Sequence, residues 1–294
     1  MHALDHDQRG AVYTEFLVCF IPVLVLVLAL VQLALLAQAS LVVRYAADTA
    51  VRSAIVVLDE DPARYGGSPR RVVDRAQSSS STGALSGLFG GTGGSSGGNR
   101  SRLAAIRSAA YRPLLAIAPS ASQLAPSSRV RSVMAAIGET GPLDRTAFGL
   151  VYLTAASAIT FPDTPGATQH RSSFGEDAPV TVRVTYAYPC MVPIASAMIC
   201  DSWLELSTRL PMQTESLLGP RGGVEGAIAT GRRLQAQRAR LVASRARVDE
   251  LSHSERPGTL IASIATGARF AIFSAEATLP LQSAPYRYQS EVSP

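Results

Sequence analysis

The hydrophobic positions of this chain form one long run near its start and several shorter, weaker patterns after it. Between Glu15 and Arg44 lie 28 consecutive residues without a charge. At about 1.5 Å per residue this run makes roughly 42 Å of helix, which exceeds the roughly 30 Å hydrocarbon core of a bilayer. The pattern therefore predicts a helix that crosses a membrane.

The helix is expected to continue past the apolar run. Small apolar residues there recur at spacings of three and four and so share one helix face: Val43, Ala47, Ala50 and Ala54. Small side chains on one face let a second element approach closely. We predict one continuous helix over residues 12–58, with a membrane-spanning part, a stalk and a stop at Asp59-Glu60-Asp61-Pro62.

Alternation of apolar and polar residues predicts strands in the second half of the chain. It is clearest over residues 179–189 and returns over 204–210, so we expect an antiparallel pair connected through 190–200. The run that ends at residues 279–283 echoes the end of the 204–210 run and predicts a third strand beside it.

The remaining patterns are weaker. They predict a short helix over 103–111 that Pro113 ends, a second helix over 130–137, and a strand within 148–161. Leucine and valine at seven-residue spacing predict an arginine-rich helix within 222–256. Residues 77–102 are mostly serine and glycine and predict a flexible loop.

These elements predict an α+β fold, in which a long N-terminal transmembrane and stalk helix precedes a domain with a small antiparallel sheet and additional helices. The expected organisation is an N-terminal segment at 1–10, the helix at 11–58, a connection at 59–76, the glycine- and serine-rich loop at 77–102, an α+β domain at 103–220 and a C-terminal extension at 221–294.

Composition sets limits on function. The chain has 294 residues, 47% of them apolar, which is enough for a core. All 27 basic residues are arginines, but 22 acidic residues nearly balance them, and aromatic residues make up only 6%. Nucleic acid is therefore not expected as a partner. The arginine-rich segment is interpreted as a solvated helix face, with polyanion binding as the alternative.

Catalytic and metal-binding patterns are missing from the sequence. It contains no HExxH, GxSxG or GxxxxGK[ST] motif, and its four histidines and three cysteines are scattered. We therefore predict that the protein is not an enzyme and has no catalytic residues, no cofactor and no metal site.

The start of the apolar run carries a processing motif. Gly10 is followed by four variable residues and then by Glu15-Phe16 at the beginning of the hydrophobic helix. This arrangement resembles type IV prepilins, most closely the TadE-like minor pseudopilins of the tight-adherence (Flp, type IVb) pilus. The resemblance covers residues 9–54 and, more loosely, 179–214.

The resemblance implies that residues 1–10 are a prepilin leader, which a prepilin peptidase removes by cleaving between Gly10 and Ala11. Glu15 then becomes the fifth residue of the mature chain and, with Phe16, sets the register between subunits. Elementary electrostatics agrees, because a carboxylate in the first turn of a helix is favoured by the macrodipole. The new amine on Ala11 is also a natural partner for a carboxylate of a neighbouring subunit.

The resemblance also implies partners and a location. The partners are other pilins and pseudopilins, the prepilin peptidase, an inner-membrane assembly platform and membrane lipid. The location is the bacterial cytoplasmic membrane, crossed once, with the N-terminus in the cytoplasm and the C-terminal domain exported.

Two of the three cysteines lie ten residues apart in the expected exported part. Outside the cytoplasm such a pair usually forms a disulfide, so we predict a bond between Cys190 and Cys200, with two reduced buried thiols as the alternative. Cys19 lies in the predicted span and is expected to be an inert, small apolar residue.

Two other interpretations of the N-terminal segment stay open. The first is a single-pass envelope scaffold that is never processed. The second is a secreted binding protein released after Ala39, because Ala37-Gln38-Ala39 has the small-x-small form of a signal peptidase site.

Overall fold

The structure, a computed structural model, describes residues 9–73, 101–120, 123, 142–176, 178–202, 250–251 and 268–281. The predicted helix at 130–137, the strand expected at 204–210 and most of the predicted loop at 77–102 and of the arginine-rich segment lie outside the described residues. The loop prediction was wrong at its end, because Arg102 is already helical. From the arginine-rich segment the structure gives Glu250 and Leu251, which are helical.

The long N-terminal pattern forms one helix, α1, at Arg9–Val57. Its length of 49 residues corresponds to about 74 Å. Pro22 lies inside it without ending it. The predicted stop is confirmed, because the helix gives way at Leu58 and Asp59 to a turn and then to a 3₁₀ helix at Pro62–Tyr65, where the Asp61 side chain accepts a hydrogen bond from the Ala63 amide.

A second helix, α2, spans Arg102–Leu114 and continues as a 3₁₀ turn at Leu115–Ile117. The sequence predicted this helix, but the expectation that Pro113 ends it was wrong. Proline has no amide hydrogen and leaves the carbonyl four residues earlier without its helical partner. That carbonyl, on Ala109, instead accepts a hydrogen bond from Thr49 Oγ1 of α1, 3.2 Å away.

The segment predicted as a strand within 148–161 is mostly helical. Helix α3 spans Pro142–Ala156 and passes directly into strand β1 at Ser157–Thr160. The segment is apolar on all sides, so its periodicity does not separate a buried helix from a buried strand. Tyr152 on α3 donates a hydrogen bond of 2.7 Å to the carbonyl of Ala187, which fixes the helix against the sheet.

In the part of the chain that the structure describes, the sheet has four strands in the order β1-β2-β4-β3. Strand β2 is Pro179–Pro189, β3 is Asp201–Ser202 and β4 is Arg269–Pro280, and a short helix, α4, lies at Ala195–Ile199. All neighbouring strands are antiparallel, and β2 pairs with β4 along its whole length.

The strand predicted to pair with β2, at 204–210, lies outside the described residues, and in the described part of the sheet β2 lies between β1 and β4. Strand β4 comes from the predicted C-terminal extension at 221–294, and it belongs to the same sheet as β1 and β2 from the predicted domain at 103–220. The predicted C-terminal strand itself is confirmed.

The two faces of the β2–β4 pair have different coverings. On one face, residues of β2 join the buried face of α1 in a single apolar core: Val180, Val182, Val184 and Tyr186. The predicted small-residue face of α1 is confirmed as the opposite wall of this core, with Val43, Ala47, Ala50 and Ala54 all fully buried. The other face carries directly opposed polar pairs such as Thr181 and Thr278.

Candidate membrane anchor and its attachment to the domain

The first half of α1 lies outside the core. Only 6% of the most apolar stretch of this helix is buried, and large apolar side chains are exposed over residues 16–31. Among the described residues, α1 is the helix that is long and apolar enough to cross a membrane. A helix of equal composition in the core of a soluble protein would be mostly buried. The exposed apolar side chains therefore distinguish α1 from such a core helix.

The predicted processing residues lie at the start of this exposed half. Gly10 and Ala11 belong to the first turn of α1. Glu15 and Phe16 are exposed, and the Phe16 ring stacks on that of Phe20 with 5.4 Å between the ring centres. Glu15 therefore stands at the beginning of the exposed apolar surface, where its role was predicted.

Burial on α1 begins at Gln32. This side chain is fully buried, and the continuous buried stripe starts about two turns later at Ala39 and continues with Val43. A buried amide is costly unless its hydrogen-bonding groups are satisfied. Gln32 Oε1 accepts a hydrogen bond from the Val192 amide at 3.2 Å, and its Nε2 lies 3.9 Å from Cys200 Sγ.

Both contacts of Gln32 are made with one connection, residues 190–200, which we call the disulfide loop. Cys190 and Cys200 are bonded at its ends, in agreement with the prediction, and their Cα atoms are 6.5 Å apart. Arg269 at the start of β4 donates hydrogen bonds of 3.1 Å to the carbonyls of Ala197 and Cys200. The loop is thus tied to α1 on one side and to the sheet on the other.

The opposite end of α1 is held by Arg102. This buried guanidinium donates to the Val57 carbonyl at the helix end and to the Glu60 carbonyl at 3.0 Å, and it lies over the Tyr65 ring, 4.6 Å from its centre. Burial lowers the pKa of Arg102. A cation at the C-terminus of a helix also interacts favourably with the macrodipole. Arg102 therefore gives a carbonyl at the end of α1 a hydrogen-bond donor and opposes the partial negative charge there.

A buried charge cluster lies on the polar face of the sheet. Arg183 Nε donates to Glu276 at 2.7 Å and its Nη1 donates to Glu250 at 2.5 Å, while Thr185 donates to Glu250 at 2.6 Å. Burial on its own would lower the pKa of Arg183, but the hydrogen bonds and charges of the two glutamates outweigh it and raise the pKa. The cluster fastens Glu250 to the sheet, and with its hydrogen bonds made it has a structural role.

Two of these attachment residues escaped sequence analysis. Gln32 is one of few polar residues in the apolar run, and that isolation is the signal that could have identified it. Arg102 stands at the end of the glycine- and serine-rich segment, and no local pattern connects it with the end of α1, 45 residues earlier.

The described residues offer little for metal chemistry. In the ranges that the structure covers, no three histidine, cysteine, aspartate or glutamate side chains converge on a point where they could hold a metal ion.

Comparisons with known proteins do not add a family. No protein-family model, no curated protein and no solved structure matches the chain.

Proposed function

We propose that this protein is a TadE-like minor pseudopilin, processed after Gly10 by a prepilin peptidase and needed for assembly of a tight-adherence (Flp) type IV pilus. In this proposal α1 anchors the subunit once in the bacterial cytoplasmic membrane, with its N-terminus in the cytoplasm and the α+β domain exported. A platform protein and a cytoplasmic ATPase then transfer the subunit from the membrane to other pilins and pseudopilins.

The observation that carries the proposal is the division of α1 into an exposed apolar half and a half built into a folded domain. A helix of this kind is stable in lipid, and it is equally stable against the apolar helices of neighbouring subunits. Such a subunit can leave a membrane without unfolding its domain. The family in this proposal rests on the Gly10 and Glu15-Phe16 motif at the start of the exposed half, which resembles that of type IV prepilins.

The secreted alternative fits the packing less well. Release after Ala39 would remove Gln32, the side chain that holds the disulfide loop against α1. It would also cut the helix at a fully buried residue. The domain therefore uses residues that lie before the proposed cut.

The unprocessed envelope scaffold differs from the proposal only at the N-terminus, so that terminus decides between them. The full chain is produced in a bacterial host with and without a co-expressed prepilin peptidase, and its mature N-terminus is read by mass spectrometry. We expect a chain that starts at Ala11 and depends on the peptidase. A start at Met1 in both hosts would establish the scaffold, and a start at Ser40 the secreted protein.

The role of Glu15 needs a separate measurement, because cleavage and assembly are different steps. Glu15→Ala is expected to be processed normally but to fail in pilus assembly, scored by filament counts on the cells. Asp48→Asn, which neutralises another exposed carboxylate of α1, is the matched control and should assemble. Normal filaments with Glu15→Ala would remove Glu15 from the mechanism.

A further inference from the structure

The disulfide loop has the composition of a lipid-facing segment. Its eleven residues, Cys190 to Cys200, contain no charge. Two large apolar side chains on it, Ile194 and Met198, are 52% and 68% exposed. Exposed apolar side chains are common when they are scattered singly, but two of them one helical turn apart on an uncharged loop form a small apolar surface.

The position of the loop on α1 matches a membrane surface. Gln32, which the loop holds, is the first fully buried residue of α1 among those whose side chains the structure describes. Counted from Phe16, the first residue of the uncharged run after Glu15, a hydrocarbon core of roughly 30 Å takes about 20 residues of helix and ends near Leu35. That position is within one turn of Gln32, so the loop lies at the level where the helix leaves the bilayer.

The backbone of the loop turns Ile194 outwards at a conformational cost. Ile194 has φ 66° and ψ −56°, and the Ala195 amide donates to the Pro193 carbonyl at 2.7 Å. This is a γ-turn with positive φ, a strained form that is unusual for a β-branched residue. More than half of the side chain is exposed, so apolar contacts within the domain do not offset the energetic cost of this backbone conformation.

We propose that the disulfide loop rests in the headgroup–acyl boundary of the membrane that α1 crosses, with Ile194 and Met198 inserted among the lipid chains. This inference rests on the proposed membrane span. Gln32 and the disulfide then fix how deep the domain sits, because they connect the inserted loop rigidly to the helix that crosses the bilayer. Contact of the loop with a second copy of the chain is the competing arrangement.

The test measures the depth of a single tryptophan in the reconstituted full chain. Trp203, the one tryptophan of the sequence, is replaced by phenylalanine, and Met198→Trp is added as the reporter. The protein is placed in phosphatidylcholine vesicles whose acyl chains carry bromine at a known depth. We expect quenching to be strongest for bromines about 5–10 Å below the headgroup boundary, the depth of interfacial segments.

Two matched reporters on α1 separate the possible results. Leu26→Trp, on the exposed half, should be quenched by deep bromines, and Val56→Trp, exposed at the far end of the helix, should not be quenched. If Leu26→Trp is quenched and Met198→Trp is not, the loop proposal is overturned, in favour of the second copy or of water, while the membrane span stands. If Leu26→Trp is not quenched, the span fails and the loop proposal fails with it.

A chemical control guards against a disrupted loop. Mass spectrometry under non-reducing conditions must show the Cys190–Cys200 bond in the Met198→Trp protein. A second reporter, Ala197→Trp, lies on the same exposed part of the loop and should show the same depth profile. Agreement between the two reporters supports the proposal, and a bonded loop with two unquenched reporters overturns it.

Discussion

The two halves of α1 form one continuous helix but have different residues and opposite surroundings. Residues 16–31 are almost wholly apolar and exposed, whereas residues 32–57 place a stripe of small apolar side chains against the sheet and α2. The difference lies in side-chain size and in polar partners. Large residues on all sides suit a fluid environment of lipid or other helices, and a one-sided stripe of alanine suits close contact with a fixed surface.

The comparison shows that the boundary between the halves is built by contacts. No charge marks it, since the nearest charged residues on the helix are Glu15 and Arg44. It is set at Gln32, where the disulfide loop meets the helix. Each of the following variants changes the domain half or its boundary.

The largest effect is expected from Arg183→Met, which removes the cation of the buried cluster behind the sheet that α1 packs on. Glu250 would be left buried without its charged partner, and the more exposed Glu276 would lose its partner as well, a loss of about 3–5 kcal/mol in the free energy of unfolding. Denaturant unfolding in detergent measures it. Arg171→Met removes an exposed ion pair with Asp163 and should cost at most about 1 kcal/mol. Equal losses for the two variants would contradict the structural role of the cluster.

The next effect concerns the disulfide. Replacing Cys190 and Cys200 together by serine should lower the free energy of unfolding by about 3 kcal/mol, because the bond restricts a loop of this length in the unfolded chain. The matched control is Cys19→Ser in the exposed half, which should leave unfolding unchanged. Reducing agent should reproduce the loss in the native chain and have no effect on the double variant.

A smaller effect tests the boundary residue itself. Gln32→Met keeps a similar shape but leaves the Val192 amide without its acceptor, at an expected cost of about 1–3 kcal/mol. Gln38→Met changes the same residue type at an exposed position six residues later and should stay within about 0.5 kcal/mol of the native chain. The unfolding temperatures of both variants are measured by thermal unfolding. Similar midpoints for the two would show that the contact at Gln32 does not contribute to stability.

The smallest expected effect has the opposite sign. Ile194→Gly relieves the positive φ of the γ-turn, which stabilises the fold by about 1 kcal/mol after the entropy cost of glycine. The variant should therefore unfold slightly later in detergent, while the same change removes an apolar side chain from the loop surface. An earlier transition in detergent would mean that Ile194 contributes to packing within the domain.

Local patterns in the sequence predicted local structure well. The limits of α1, the position of α2 and the alternation of β2 follow from periodicity and from stop residues such as Pro62, and the structure places them within a few residues of the prediction. The face with Ala47 and Ala50 followed from helical spacing in the same way. These features depend on interactions between residues close in sequence.

Features that depend on distant residues were not predictable. The pairing of β2 with β4 joins residues about ninety positions apart, and nothing in either strand specifies the other. The alternation in β2 marks one face as polar, but it does not show that Glu250 covers this face and makes Arg183 a buried residue. The helix α3 was missed because its neighbours, not its own periodicity, decide between helix and strand.

The place of β4 in the sheet has a consequence for the order of events during synthesis. It is the last described strand along the chain, yet it lies between β2 and β3 and covers one whole edge of β2. Until Pro280 has emerged, β2 keeps an unpaired edge and the core against α1 lacks one wall. An unpaired edge readily joins a strand of another chain. Folding of the domain is therefore a late event, and the unfinished chain requires either rapid completion or a chaperone that shields β2 while it waits for β4.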